Sequence, residues 1–234
     1  MGSRKGETVK KLLPLLLVLA LVMPVSAINK DGLLSAGARI FYWLPQGNFG
    51  EAYDSSIGFG AKVGYGVAEN LEILGEAWYG LAQFNEHYWG LDHWDYESAT
   101  PYLMTFQLGA RFNFSPYSQF DPYAQLAGGY YMWAVYKEVG IDEDGDGDVD
   151  SYQYQLVTDE DTRKFGINAR LGGEFFSSNN MSIDVAVEWN SIFSVTVPQP
   201  VDVDGDGFYD EGEWDYVEET VNVLSFGAGL NFYF

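Results

Sequence analysis

Apolar side chains recur at every second position in eight segments between residues 34 and 234, the period of a strand with one apolar face. The last segment, 221–234, reads VNVLSFGAGLNFYF. It puts Leu224, Phe226, Ala228, Leu230, Phe232 and Phe234 on one face and Ser225, Gly227, Gly229 and Asn231 on the other. The first, 34–44, sets Leu34, Ala36, Ala38, Ile40 and Tyr42 against Ser35, Gly37 and Arg39. The second, 56–66, sets Ile57, Phe59, Ala61, Val63 and Tyr65 against Gly58, Gly60, Lys62 and Gly64. Segments 71–81, 102–114, 123–135, 165–175 and 183–197 complete the series, with 123–135 the least regular. Eight strands are predicted.

The character of the second face separates two architectures. A soluble sandwich turns its apolar faces inward and would carry many Lys, Thr and Glu on the faces that meet water. Here the second faces are rich in glycine with a few charges, as suits a narrow lumen that side chains nearly fill. No segment has a charge at the centre of its apolar face, where an Arg or Lys in lipid would cost about 2–4 kcal/mol. Tyr42, Tyr65, Tyr79, Phe112, Tyr130, Trp189 and Phe232 lie near strand ends or on the apolar face, where aromatic girdles sit. The connectors alternate: 68–70, 115–121 and 177–181 are short, whereas 45–55, 83–101, 136–164 and 198–220 are long. The expected fold is all-β, an eight-stranded antiparallel up-and-down transmembrane β-barrel with its long loops outside the cell.

Residues 1–27 have the anatomy of a cleaved secretion signal. Arg4, Lys5, Lys10 and Lys11 precede an apolar run from Leu12 to Met23, and Val25, Ser26 and Ala27 form a small-residue site. That run is shorter than the roughly 20 residues a helical span needs, and no later run approaches that length. Without residues 1–27, eight basic residues face 33 acidic ones, a net charge of −25. Such a surface repels nucleic acid and attracts cations. The absence of cysteine excludes a disulfide framework and thiolate chemistry.

Parity also places charge inside the expected barrel. Arg39, Lys62, Arg111 and Arg170 share the lumen face with Glu72, Glu76, Glu174, Asp184 and Glu188. In a narrow bore these groups must pair, because an unpaired buried charge costs several kcal/mol of desolvation, on the order of that for a buried ion. The expectation is an ion-paired plug; the alternative is a gate that passes ions or a small solute when pairs exchange. Glu72 and Glu76 suggest no acid/base pair, since such spacing along a strand is generic.

The pattern, the loop order and the terminal Phe234 together resemble the small eight-stranded outer-membrane proteins: the transmembrane domain of the OmpA family and its OmpX and OmpW relatives. The resemblance covers nearly all of 28–234. It implies periplasmic termini, a location in the bacterial outer membrane and contact with its lipid. No extension after Phe234 is expected, so the peptidoglycan-binding role of full OmpA proteins is not.

The sharpest motif lies in the loop 198–220. Asp202, Asp204 and Asp206 occupy positions 1, 3 and 5 of a twelve-residue calcium loop. Gly207 takes the turn at 6, Phe208 the carbonyl at 7, Asp210 position 9 and Glu213 the bidentate position 12. The spacing wraps the oxygens a hard cation needs around one point. It resembles an EF-hand loop, but strand patterns flank it, so no EF-hand opening is implied. A second copy in 136–164 has Asp142, Asp144, Asp146, Asp148 and Asp150. Its position 12 is Gln153, which predicts a weaker site unless Asp159 or Glu160 completes it. Calcium is thus the expected cofactor, and envelope or surface partners the expected contacts. His87 and His93, with Asp92, Asp95, Trp89 and Trp94, read as a binding or packing loop, because no nucleophile motif accompanies them. No enzyme is predicted.

Overall fold

The computed structural model describes residues 28–81, 83–84, 100–141, 151–156, 163–200 and 214–234. Eight long strands form the wall: β1 (Leu34–Gln46), β3 (Ser56–Ala68), β4 (Leu71–Leu81), β6 (Thr100–Asn113), β7 (Phe120–Ile141), β9 (Arg163–Ser178), β10 (Met181–Pro200) and β11 (Trp214–Tyr233). Each pairs antiparallel with its neighbours in the order β6-β4-β3-β1-β11-β10-β9-β7, and β6 pairs with β7 to close the sheet. The seam between the first and last strands runs from Ser35 opposite Tyr233 to Gln46 opposite Asn222. Backbone bonds from Leu34 N to the Phe234 carbonyl (3.2 Å) and from Phe234 N to the Leu34 carbonyl (2.9 Å) finish its inner end. Among the described residues, closure leaves the eight-stranded wall no open edge, the condition for crossing a bilayer with strands.

Side-chain parity holds in every wall strand where burial is described. In β3, Ile57, Phe59, Val63 and Tyr65 are exposed while Gly58, Lys62 and Gly64 are buried, and β9 alternates in the same way from Phe165 to Leu171. The result is inside out with respect to a soluble domain. Leu108, Leu171, Val63, Leu126 and Tyr130 are each more than 60% exposed, whereas Arg111, Glu174 and Asn168 are fully buried. An apolar belt of this extent around a polar interior marks a lipid-facing wall.

Glycine on the inward face makes room for large neighbours. A Cβ on Gly58 would lie 2.3 Å from the Phe41 ring, and one on Gly172 would lie 2.6 Å from the Tyr123 ring. Each bay admits a ring from an adjacent strand into a bore too narrow for two side chains at that level.

The strands extend beyond the alternating segments at the long-connector end. β7 continues to Ile141 and pairs with β8 (Ser151–Leu156), from Tyr136 opposite Leu156 to Ile141 opposite Ser151. β10 and β11 continue pairing from Val195 opposite Glu219 to Pro200 opposite Trp214, past a register shift between Ile192 and Val195. Ser194 in that bulge has φ 54°, the left-handed region, a local strain that bends the ribbon as it leaves the barrel. Connectors 136–164 and 198–220, read as loops throughout, are therefore partly paired strand. The connector 45–55 holds a short helix, α1 (Asn48–Ala52), and β2 (Tyr53–Asp54), which pairs with β5 (Gln83–Phe84).

Candidate functional site

The bore is the region where chemistry collects, and it is filled in four levels. At the short-turn end, Ile28 packs against Phe176 and Tyr233, with Leu33 beside them. Lys30, buried there, donates to Asn113 Oδ1 (2.9 Å), Asp121 Oδ2 (3.0 Å) and Glu174 Oε2 (2.7 Å). Its ammonium also lies 5.3 Å from the Phe176 ring centroid and 5.7 Å from that of Tyr233, within cation–π range. The segment before β1 therefore turns back into the barrel mouth.

The middle layer holds two ion-pair centres. The first is built on Glu174 of β9. Its Oε1 accepts from Arg111 NH1 (2.7 Å) and Asn231 Nδ2 (2.6 Å), and its Oε2 from Lys30 (2.7 Å) and the Tyr233 hydroxyl (2.6 Å). Four donors fill the roughly four lone-pair sites of a carboxylate. Arg111 lies 3.5 Å from Asp184 and 3.9 Å from Glu72, and its guanidinium stacks 3.9 Å from the Tyr123 ring centroid. Tyr123 in turn donates to Asp184 (2.9 Å), and Ser35 donates to Glu72.

The second centre is built on Arg170. Its NH1 and NH2 each reach a Glu76 oxygen at 2.7 Å, the bidentate fork that planar guanidinium allows. Its Nε donates to Glu188 Oε2 (2.7 Å), which also accepts from Arg39 NH1 (2.8 Å). Gln125 bridges the two centres, accepting from Arg111 and Arg170 and donating to Glu76 at 3.2 Å. Arg39, Lys62, Glu72, Glu76, Arg111, Arg170, Glu174, Asp184 and Glu188 thus all project into one layer, on six strands.

Above the ions a neutral polar belt links Gln107 to the Tyr131 hydroxyl (2.8 Å), and both Tyr131 and Asn168 to Asn190 Oδ1 (2.9 and 2.8 Å). The outer third is apolar. Phe41, Trp43, Phe49, Tyr53, Trp78, Leu103, Tyr131, Ile192, Val195, Val221 and Val223 form one buried cluster. Phe41 meets Trp78 edge-on at 5.2 Å, and Trp78 meets Tyr131 edge-on at 5.8 Å. Phe49 and Tyr53 come from the first outer connector. α1 and the turn at Gly47 (φ 64°) fold that connector across the mouth, and Asn48 ties it to Glu219 of β11 (3.0 Å).

Several of these groups lay beyond the alternating pattern. Lys30 precedes the first segment and Asp121 falls in a short connector, so neither carries a parity signal. Phe41, Trp43, Trp78 and Leu103 do have inward parity. Beside apolar outward neighbours they give no contrast. Asp142, Asp144, Asp146, Asp148, Asp150, Asp202, Asp204, Asp206, Phe208, Asp210, Glu213, His87 and His93 lie outside the described residues.

No family model matches the chain, and neither does any curated protein. Solved structures do. The chain is similar to Neisserial surface protein A (NspA), with a TM-score of 0.51 at 14% identity, over 87% of this chain and 100% of that one. It is similar to the outer membrane protein OprG from Pseudomonas aeruginosa, also at 0.51 and 14%, over 90% of this chain and 99% of that one. The fold is that of the small outer-membrane barrels. At this identity the likeness extends to the eight-stranded closed sheet and no further.

Proposed function

We propose that the chain is an outer-membrane barrel that anchors acidic, calcium-binding loops at the cell surface, with a structural or surface-interaction role. The observation that carries this reading is the combination of an exposed apolar wall with a bore filled from the Lys30 cluster to the Trp43 cluster. A wall of that kind suits a lipid bilayer, and a bore filled in that way suits an anchor. The calcium assignment rests on the oxygen spacing from Asp202 to Glu213, with Asp142 to Asp150 as the weaker second loop. Calcium there would neutralise part of the strongly acidic outer surface and let it meet anionic head groups or another envelope surface.

Calcium titration of the refolded barrel, followed by calorimetry and by limited proteolysis with and without chelator, tests the reading. Wild type is expected to bind and to gain protection in 202–213. Glu213→Gln is expected to weaken binding at least tenfold, since it removes the bidentate ligand. Identical cleavage with and without chelator would overturn the calcium assignment.

One observation favours a second reading, a narrow ion or solute channel. Arg111 stands within 3.9 Å of three carboxylates, Glu72, Glu174 and Asp184, so exchange among partners is a short movement. Planar-bilayer recording separates the two: the anchor is silent, and steady unitary openings from purified barrel would establish the channel.

A further inference from the structure

Within the ion-pair layer, a small cavity opens between β1, β3 and β11. It has room for about one water molecule. Its charged and amide lining is Arg39, Lys62, Arg111, Arg170, Asp184 and Asn231. Lys62 is buried at 6% exposure, and its ammonium has no hydrogen-bond acceptor. Arg39 NH2 is also buried without one.

Lys62 lacks a partner for a structural reason. Its cross-strand neighbour is Glu76, whose two oxygens are held by the Arg170 fork at 2.7 Å. Glu174 Oε1 stands 3.6 Å from the ammonium and already accepts from Arg111 and Asn231. A buried ammonium so placed loses its hydration with nothing in exchange unless a small acceptor reaches it.

Charge and valence decide what that acceptor can be. Among the described residues the bore already buries six carboxylates, those of Glu72, Glu76, Asp121, Glu174, Asp184 and Glu188. They face five cations, Lys30, Arg39, Lys62, Arg111 and Arg170. An added anion would deepen that excess, and an added cation would sit against the heads of Lys62 and Arg39. Glu72 Oε2 and Glu188 Oε1 are themselves buried without donors, so the layer is short of both kinds of partner.

The cavity wall also presents both kinds. The Tyr123 hydroxyl has one proton to share between the two oxygens of Asp184, at 2.9 and 3.1 Å, and Arg111 lies 3.5 Å off. A carboxylate with about four acceptor sites therefore keeps some open. Asn231 spends both amide protons, on Glu174 Oε1 (2.6 Å) and Ser182 Oγ (3.3 Å). Its Oδ1 is thereby turned toward Gly37, where a Cβ would collide with it and lie 3.2 Å from Lys62 Cε.

We infer that this cavity is a binding site for one ordered water molecule. The water accepts from Lys62 Nζ and Arg39 NH2 and donates to Asp184 and Asn231 Oδ1, two bonds of each kind. It gives Lys62 the acceptor that neither Glu76 nor Glu174 can spare. Gly37 leaves it room.

The full barrel refolded and crystallised in sodium bromide, and separately in rubidium chloride, tests the assignment. Both maps are expected to show one density peak within hydrogen-bond reach of Lys62 Nζ, with no anomalous signal from either ion. An anomalous bromide peak there makes the occupant an anion, and a rubidium peak makes it a cation. Either result, or the lack of any density, overturns the inference. In Lys62→Met the peak is expected to be lost, and a peak that stays at full height overturns the role given to Lys62. If Lys62→Met does not refold, the two wild-type maps decide alone.

Discussion

The middle and the outer end of the bore solve one packing problem with opposite chemistry. In the middle, Arg111, Arg170 and their carboxylates are buried but held by directional bonds, mostly between 2.6 and 2.9 Å. At the outer end, Phe41, Trp43, Trp78 and Leu103 fill the space by shape. Ionic filling is strict about partners and loose about volume, because leaving one charge unpaired is costlier than removing both. Aromatic filling is strict about volume and indifferent to pairing, since a void forfeits dispersion contacts that nothing replaces. The first arrangement specifies which strands lie where. The second excludes water from the mouth.

Substitutions can break that contrast. The largest effect is expected from Arg111→Met, which takes one buried cation from Glu174, Glu72 and Asp184 together and leaves Asp184 with the Tyr123 hydroxyl. Loss of about 3–5 kcal/mol is expected in urea unfolding from lipid vesicles. In the aromatic layer, Leu103→Ala is expected to cost about 2–4 kcal/mol through the cavity it leaves. The smallest effect is expected from the double change Arg170→Met with Glu76→Leu. It removes a whole pair while Glu188 keeps Arg39, and should fall within about 1–2 kcal/mol of wild type. If the double change were as costly as Arg111→Met, the ionic layer would depend on volume after all and the contrast would fail.

How legible each layer was in the sequence follows from the same distinction. Alternation reports a difference between two faces, so it found the wall and the charged lumen positions on β1, β3, β4, β6, β9 and β10. It is silent where both faces are apolar, as around Trp43, Leu74 and Leu103, all at most 1% exposed. Lys30 was invisible for another reason: its partners Asn113, Asp121 and Glu174 are 83 to 144 residues away and meet it only when the sheet closes. Pairing partners within the ionic layer depend on the stagger between strands, which periodicity does not encode.

The four donors on Glu174 come from well-separated parts of the chain: the residues before β1, the strand β6, and two positions on β11. Three of the four arrive from the two ends of the sheet. With the β1–β11 seam open, β11 still pairs with β10 and β10 with β9, so Lys30 is the donor that only closure of the seam brings to this carboxylate. Glu174 thus works as a completion sensor for assembly: the charge is fully compensated only when the first and last pieces of the barrel are both home.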